Sequence, residues 1–364
     1  MEKIPFFNLK IVKQEEKNDL LSAISTIFDH GQIILGPEVT EFETKVADYC
    51  SRKFGVGVCS GTSALFFGLK SLGIGSGDEV ITTSMSWIAT ANAIAMSGAT
   101  PVFADVCDDL NINPDTLEAL ITDKTKAIMP VHYTGKVCKM EKILNLASRY
   151  NLKVIEDASQ AFGASVQGKP TGSFGDIACF SLNPMKILGA CGEAGIIVCD
   201  DQALYDRLIA LRYNGTVNRE LCIEPSFNGR LDTLQAAILL RRLKDVPHII
   251  AKRREIAAFY NTHLTKKIEI PLEAAGNLDT YYSYTIRTDH RDELKSYLDN
   301  CAIETKIQHL YLMSDQPAYK HLKKINLPQA SKLIKQILCL PNHEKLSQKQ
   351  LERVVTCVNE FFSK

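Results

Sequence analysis

The sequence of 364 residues lacks any excess of charge of one sign, because 42 Lys and Arg residues balance 42 Asp and Glu residues. This balance argues against a general nucleic-acid or membrane-surface binding protein, and we expect neither kind of partner. The 11 cysteines include no pair with C-x-x-C spacing. We therefore expect the reduced thiols of an intracellular protein, rather than disulfide bonds or a zinc site.

Long apolar runs are also lacking. The N-terminal segment is charged from its second residue and has no apolar core of the signal-peptide type. Residues 84–104 carry no charge, but they include Ser, Thr, Asn and a Gly-Ala-Thr-Pro turn. This composition predicts a buried helix followed by a buried strand, not a membrane span. We expect a cytoplasmic protein.

The first two thirds of the chain alternate between β-rich runs and helical runs. Strands are predicted at 79–84, 100–106, 126–135, 153–159, 176–182 and 194–200. Near-continuous apolar strands between helices are typical of a mainly parallel sheet with helices on both faces, which is an α/β fold. A further helix is predicted after Asn113, with Asn113 as its N-cap and Pro114 at its first position.

The pattern changes near residue 245, and the length of the chain suits two domains. We predict a large domain over 1–245 and a smaller α/β domain over 246–364. The smaller domain is expected to contain a strand over 281–288, and its last helix opens with the capping box Ser347-x-x-Gln350.

Two features lie where ligands bind in open parallel sheets. Asp157 lies where the strand predicted at 153–159 ends, and ligands bind beyond the carboxyl ends of such strands; it could equally cap the next turn. The Ser-Gly-Thr-Ser turn at 60–63 opens an apolar helix whose free N–H groups suit a phosphate, although an ordinary N-cap explains it as well.

Two further features are the single tryptophan and a lysine. Trp87 is the only tryptophan, and its indole could stack on a flat ring or anchor the core. Lys186 lies in "SLNPMKILGACGEAG" (181–195), between an apolar strand and a loop broken by glycines. A desolvated lysine can be a nucleophile that forms a Schiff base; the alternative is a side chain that extends into solvent.

The combination of these four features indicates a cofactor. A Schiff-base lysine, an acid for a pyridinium nitrogen, a phosphate-binding helix start and a stacking aromatic are what pyridoxal phosphate (PLP) requires. The eight histidines show no H-E-x-x-H or similar spacing, so we expect no metal.

These motifs, in this order, resemble the DegT/DnrJ/EryC1/StrS family of PLP-dependent sugar aminotransferases, and the likeness covers nearly the whole chain. The matching segments are "GQIILGPEVTEFE", "CSGTSAL", "GDEVITTSMSWIATANAI", "IEDASQAFGA", "SLNPMKILGACGEAG" and "FNGRLDTLQAAIL". The resemblance implies the fold of type-I PLP enzymes, with a large cofactor domain and a smaller C-terminal α/β domain.

The resemblance also implies a role for individual residues. Lys186 is expected to bind PLP through a Schiff base, and Asp157 to pair with the pyridine nitrogen. The other positions implied to contact the cofactor are Gln160 at the ring hydroxyl, Trp87 on the ring face, and Gly61, Thr62, Ser63 and Ser181 at the phosphate. Asn228 is implied to reach the phosphate of the neighbouring subunit, so we expect a homodimer with shared active sites.

The implied reaction transfers an amino group from an amino acid, L-glutamate in the family, to a keto sugar that is nucleotide-linked. Two half-reactions share the site, with released Lys186 as the acid and base. The segment 305–319 departs from the His-Tyr-Pro-type motif of many members, because it carries Gln308-His309-Leu310. His309 in this segment and Arg230, which lies in the same matching segment as Asn228, are candidates for substrate contact.

The altered segment leaves alternatives open for the substrate. One is amination of a small phosphorylated or cyclic ketone. A PLP-dependent sugar dehydratase would carry histidine in place of Lys186. A PLP-binding sensor without catalysis belongs to a different class, and no appended DNA-binding module supports it.

Overall fold

A seven-stranded sheet lies at the centre of the larger part of the chain in the computed structural model, which describes residues 2–363. The strands are β1 (Phe54–Val58), β2 (Glu79–Thr83), β3 (Thr100–Ala104), β4 (Thr125–Met129), β5 (Lys153–Asp157), β6 (Ser165–Val166), β7 (Lys169–Pro170), β8 (Ile177–Ser181), β9 (Gly195–Cys199), β10 (Thr216–Val217), β11 (Leu221–Cys222), β12 (Asn277–Leu278), β13 (Tyr284–Arg287) and β14 (Ile337–Leu340). The strand order in the central sheet is β1-β9-β8-β5-β4-β2-β3.

Helices cover this sheet and build the C-terminal part. They are α1 (Gln14–His30), α2 (Pro37–Tyr49), α3 (Gly61–Ser71), α4 (Ala89–Met96), α5 (Met140–Arg149), α6 (Gln202–Arg212), α7 (Thr233–Leu243), α8 (Val246–His263), α9 (Arg291–Asn300), α10 (Pro328–Leu333) and α11 (Gln348–Ser363). The helix α5 shows why such segments fold on the sheet: it buries Met140, Ile143 and Leu146 at helical spacing and leaves its charged face in solvent.

The direction of the strands brings their carboxyl ends to one edge. Strands β8, β5, β4, β2 and β3 are parallel neighbours, whereas β9 runs antiparallel to both of its neighbours, β8 and β1. Asp157 on β5 pairs with Cys179 on β8, so Asp157 and Ser181 end adjacent strands at this edge. The expectation of a mainly parallel sheet is confirmed.

Both faces of the sheet are buried, as predicted. Ala178 and Phe180 point to a core shared with α2, α7 and α8. The alternate residues Ile177 and Cys179 point to a second core, shared with α3, α4 and α6. This alternation follows from the two-residue period of a strand, and it explains why β8 is apolar throughout.

Two predicted elements of the larger part differ in the structure, and the strand predicted over 281–288 is shorter than expected, at Tyr284–Arg287. Residues 114–120 form two short 3₁₀ turns, Pro114–Thr116 and Glu118–Leu120, and not an α-helix. The 3₁₀ form rises further per residue, so it reaches the start of β4 with fewer residues. Asn113 is nevertheless the N-cap, because its Oδ1 accepts from the Asp115 N–H at 3.1 Å. The strand predicted over 126–135 ends at Met129, before Pro130, which has no N–H for the ladder.

The C-terminal part has its own core, built from α8, α9, α11 and the antiparallel pair β13 and β14. Its last helix is capped as expected, since Ser347 N–H donates to Gln350 Oε1 at 3.0 Å and Gln350 N–H donates to Ser347 Oγ at 3.3 Å. The helix α8 contributes Val246 and Ile250 to the first core and Ile256 to this one. The domain boundary near residue 245 therefore stays a prediction.

Within residues 2–363, no helix combines the length and the apolar character that a bilayer span needs. In that same part of the chain, no group of three or more His, Cys, Asp or Glu side chains is arranged to hold a metal ion.

Candidate active site

Lys186 lies in a tight loop that begins where β8 ends. The Lys186 N–H donates to the Asn183 carbonyl at 2.9 Å, and the Ala190 N–H donates to the Leu182 carbonyl at 2.8 Å, so the loop closes on itself. The Lys186 side chain is half-buried. Its Nζ lies 4.7 Å from the centroid of the Tyr282 ring, so the amine points at a ring in the protein and does not extend into solvent.

Asp157 ends β5 and is only 3% exposed. Thr90 Oγ1 donates to one carboxylate oxygen at 2.7 Å, and the Ser159 N–H donates to the other at 3.2 Å. The carboxylate thus caps the following turn and also faces the interior. None of the basic side chains of residues 2–363 forms an ion pair with it. A buried carboxylate without a cationic partner is costly, so the site suits a positively charged ligand group.

The start of α3 lies against the end of β8. Ser60 is the N-cap and its Oγ accepts from the Ser63 N–H at 3.0 Å, so the expected capping role is confirmed. The first N–H groups of a helix have no partner within the helix and attract anions. Gly61 packs on Ser181: a Cβ at Gly61 would lie 2.5 Å from the Ser181 Cβ. The structure therefore brings the four predicted phosphate contacts, Gly61, Thr62, Ser63 and Ser181, to one place.

Gln160 connects this edge of the sheet to two loops. It is 5% exposed, and its Oε1 accepts from the Thr134 N–H at 3.0 Å. The Gln308 Nε2 donates to the same oxygen at 3.5 Å. The segment 305–319 consequently reaches the predicted cofactor site through Gln308.

Trp87 lies between β2 and α4 and is 64% exposed, so the alternative of a core anchor is wrong. Asn228 is exposed as well, and its Oδ1 accepts from the Arg230 Nε at 2.8 Å. The Arg230 guanidinium lies 4.4 Å from the centroid of the Tyr213 ring. Residues 228–230 lie beside the start of α3, because the Cys59 N–H donates to the Gly229 carbonyl at 2.8 Å.

His309 lies near Lys186, whose charge acts on its imidazole. Burial, followed by the charges of Lys306 and Lys186, lowers the pKa of His309 to about 4, so the ring is neutral at pH 7. Its Nε2 is buried and unpaired among the residues described, as is the hydroxyl of Tyr133. The two rings are neighbours, with their centroids 5.7 Å apart.

Sequence reasoning missed three residues of this site. Thr90 binds Asp157, but a threonine in the first turn of an apolar helix carries no special signal. The sequence predicts a strand at Tyr282 and the end of another strand near Tyr133, whereas Tyr282 lies in a loop and Tyr133 begins a 3₁₀ turn, Tyr133–Gly135. No pattern in the sequence alone could have placed the Tyr282 ring beside Lys186 or the Tyr133 ring beside His309.

Together these residues fit PLP. Four groups lie where β2, β5 and β8 end. They are a half-buried lysine amine, a buried carboxylate without a counter-cation, a helix start opened by a glycine, and an exposed indole. The arrangement offers the cofactor an amine, an acid for its ring nitrogen and N–H and O–H donors for its phosphate.

The chain is similar to known proteins over nearly its whole length. The model of the DegT/DnrJ/EryC1/StrS aminotransferase family matches residues 14–359. The UDP-2-acetamido-2-deoxy-3-oxo-D-glucuronate aminotransferase of Pseudomonas aeruginosa is 38% identical over 345 residues, which cover 94% of this chain and 96% of that protein. The dTDP-3-amino-3,6-dideoxy-alpha-D-galactopyranose transaminase of Aneurinibacillus thermoaerophilus is 38% identical over 360 residues, which cover 98% and 99%.

A solved structure is also similar over its whole length. The crystal structure of DesV from S. venezuelae, in complex with a ketimine intermediate, superposes with a TM-score of 0.96. The two chains are 36% identical, and the match covers 100% of each. The expected fold of PLP-dependent aminotransferases is therefore confirmed.

Proposed function

The chain belongs to the DegT/DnrJ/EryC1/StrS aminotransferase family, and from that premise we propose that it aminates a nucleotide-linked keto sugar with L-glutamate as the amino donor. The protein is a PLP-dependent aminotransferase. The observation that carries the choice of acceptor is the likeness, over at least 94% of the chain, to enzymes named for UDP-linked and dTDP-linked sugars.

We propose that Lys186 binds PLP and that Asp157 holds a proton on the ring nitrogen. When bound, PLP supplies the carrier for the amino group and an electron sink for charge at the substrate carbon. Thr90 orients Asp157 through its 2.7 Å hydrogen bond. When Lys186 is not bound to the cofactor, its Nζ takes a proton from the substrate carbon as a general base. In the reverse reaction the same Nζ returns the proton as a general acid.

The remaining residues bind and orient the cofactor. The N–H and O–H groups of Gly61, Thr62, Ser63 and Ser181 bind the phosphate, with the start of α3 favouring negative charge. Gln160 approaches the ring hydroxyl from the loop side. Trp87, being exposed beyond β2, covers a ring face and keeps water from it.

We also propose a homodimer in which Asn228 reaches the phosphate site of the partner. Exposure of the Asn228 side chain in the single chain supports this role. Mixing Lys186→Ala with Asn228→Asp tests it, because a mixed dimer has one site with both changes and one site with neither. Activity of the mixture above that of either variant alone is expected; additive residual activities would contradict a shared site.

The assignment of Lys186 is tested by absorbance. The purified protein should show the visible band of lysine-bound PLP, and L-glutamate should bleach it. Lys186→Ala should lack the band, whereas Lys169→Ala, which removes another lysine that lies over an aromatic ring, should keep it. A band in Lys186→Ala equal to that of the wild type would refute the assignment.

A second candidate acceptor is a small phosphorylated or cyclic ketone. The contact between Gln308 and Gln160 favours it, because the segment that departs from the family motif reaches the cofactor site. A panel of keto acceptors, with and without a nucleotide, separates the two. Turnover of the nucleotide-free ketones alone would overturn the nucleotide-linked acceptor.

A further inference from the structure

Two buried polar atoms of the candidate active site have no partner in the part of the chain that the structure describes. They are the hydroxyl oxygen of Tyr133 and the Nε2 of His309, and neither forms a hydrogen bond there. A polar group that is buried without a partner is rare in native proteins and lowers their stability. Two such atoms on neighbouring rings, whose centroids lie 5.7 Å apart, therefore require an explanation.

Tyr133 is held by contacts that do not involve its hydroxyl. Its N–H donates to Asn111 Oδ1 at 2.8 Å, and its carbonyl accepts from the Lys136 N–H at 3.1 Å. The ring is fully buried in an apolar cluster that includes Met85 and Leu312. The backbone is thus fixed, and the ring lies where apolar neighbours leave the hydroxyl unpaired.

His309 lies in a loosely held segment close to the surface. Its side chain is only partly buried, and Leu310 after it is 63% exposed. The side-chain contacts of the preceding Gln308 are long, at 3.5 Å to Gln160 and at 3.5 Å to Ser283. A small rotation of the His309 side chain can therefore expose its buried edge without breaking a short hydrogen bond.

The chemistry of the two atoms favours an uncharged hydroxyl group as their partner. The Tyr133 hydroxyl can donate and accept, and the neutral His309 ring carries a proton on only one of its nitrogens. A ligand hydroxyl can donate one hydrogen bond and accept another, so it can pair with both atoms whichever nitrogen of His309 carries the proton. A carbonyl oxygen accepts only, so it could not pair with an unprotonated Nε2.

We propose that Tyr133 and His309 form a specificity site for a hydroxyl group of the acceptor sugar, on the carbon next to the one that is aminated. The assignment rests on the proposed function, because the acceptor sugar is part of it. His309 is close enough to Lys186 for the lysine charge to act on its ring, and Lys186 is the proposed base at the reacting carbon. A hydroxyl that reaches His309 therefore belongs to a neighbouring carbon. A site built to bind a hydroxyl rejects an analogue without it, because its buried polar groups then stay unpaired.

The test compares two probes that differ in one hydroxyl. The first, dTDP-3-amino-3,6-dideoxy-alpha-D-galactopyranose, has a hydroxyl next to its amino-bearing carbon, and the second, dTDP-3-amino-3,4,6-trideoxy-alpha-D-glucose, lacks it. Calorimetry measures their Kd values on the enzyme loaded with pyridoxamine phosphate, where cofactor and probe both carry the amino group and no transfer occurs. The wild type should bind the first sugar about tenfold more tightly than the second.

Tyr133→Phe removes the hydroxyl and keeps the ring. Its Kd for the first sugar should rise to that of the second, and its Kd for the second should not change. His309→Phe, which removes Nε2, should narrow the difference in the same way. Equal Kd values for the two sugars in the wild type, as expected if only an ordered water molecule bridges the two atoms, would overturn the proposal. So would a difference that Tyr133→Phe leaves intact. If neither sugar binds, the nucleotide-linked acceptor is wrong, and the hydroxyl site fails with it.

Stability separates a ligand site from a structural role. Because the Tyr133 hydroxyl has no partner among the described residues, Tyr133→Phe should not lower the urea midpoint of the sugar-free enzyme. Tyr260→Phe is the matched control, since Tyr260 is equally buried and its hydroxyl donates to the Pro341 carbonyl at 2.8 Å. That variant should lower the midpoint and leave the discrimination between the two sugars unchanged. A midpoint that falls as far in Tyr133→Phe as in Tyr260→Phe would show that the Tyr133 hydroxyl is bonded within the protein, and would also overturn the proposal.

Discussion

Gly61 and Ser181 bring the first turn of α3 into contact with the last residue of β8. A Cβ on Gly61 would lie 2.5 Å from the Ser181 Cβ and 2.9 Å from the Ser181 Cα, well inside the separation at which carbon atoms pack. The helix start can approach Ser181 only because residue 61 has no side chain. The geometry of the proposed phosphate site therefore depends on the absence of a side chain at residue 61.

Gly61→Ala should weaken PLP binding for this reason. The added methyl group must displace Ser181 or the helix start, and overpacking of this kind typically costs about 1–3 kcal/mol. We expect the Kd for PLP to rise by about tenfold or more, measured by titrating the visible absorbance. Gly75→Ala is the matched control, because its Cβ would meet only the Ser97 carbonyl at 3.4 Å. Equal Kd values for Gly61→Ala and the wild type would contradict the packing argument.

Asp157→Asn should keep the cofactor but lose most of the activity. Asparagine retains an oxygen for the Thr90 or Ser159 donor but brings no negative charge to the ring nitrogen. Loss of one preorganised electrostatic group in an active site typically lowers kcat by about a hundredfold to a thousandfold. Thr90→Val removes the 2.7 Å hydrogen bond to Asp157 and the 3.2 Å hydrogen bond with Ser86 Oγ but leaves the carboxylate in place, so it should cost much less. If the Asn variant kept kcat within threefold of the wild type, Asp157 would not serve the ring nitrogen.

The sequence located the residues at the strand ends because their positions follow from local patterns. Asp157 and Ser181 end apolar strands, and parallel strands bring their carboxyl ends to one edge, so periodicity alone predicts that they meet. The Ser60 cap follows equally from a polar residue before an apolar helix.

The residues that the sequence could not place depend on tertiary contacts. The strand predicted over 281–288 begins only at Tyr284, because Tyr281 has a φ of +48° and the segment before β13 binds Gly135 and Asn342 instead of a ladder. The segment that carries Tyr282 is therefore placed by contacts with residues distant in sequence, among them Gly135, Arg253 and Asn342. No local pattern encodes such an arrangement.

His309 should make folding stability depend on pH. Its pKa is about 4 in the folded protein and near 6.5 when exposed, so between these values the unfolded chain binds a proton that the folded chain does not. The contribution of His309 to the free energy of unfolding is therefore complete above pH 6.5, and it is lost as the pH falls towards 4. The loss between pH 7.5 and pH 5 should be up to about 2 kcal/mol, at 1.36 kcal/mol for each unit.

Urea unfolding of the cofactor-free protein at these two pH values measures this effect. His309→Gln cannot take up the proton, so its stability should fall less on acidification than that of the wild type. His343, whose pKa is also lowered by burial, remains in both proteins and cancels from the difference. His321→Gln, at an exposed position, should behave as the wild type does. An identical pH dependence in His309→Gln and the wild type would disprove the assignment.

Trp87 offers a direct optical test, because it is the only tryptophan and lies 64% exposed beyond β2. If its indole covers the PLP ring, adding PLP to the cofactor-free protein should quench its emission in step with the visible absorbance.

Trp87→Ala should raise the Kd for PLP by about threefold to tenfold, since an aromatic contact contributes about 0.5–1.5 kcal/mol. The same change should alter the stability of the cofactor-free protein by less than about 1 kcal/mol, because an exposed side chain loses little packing. Trp87→Phe, which keeps a ring, should bind PLP nearly as the wild type does. Emission that stays constant while the absorbance reports full binding would show that Trp87 lies away from the cofactor.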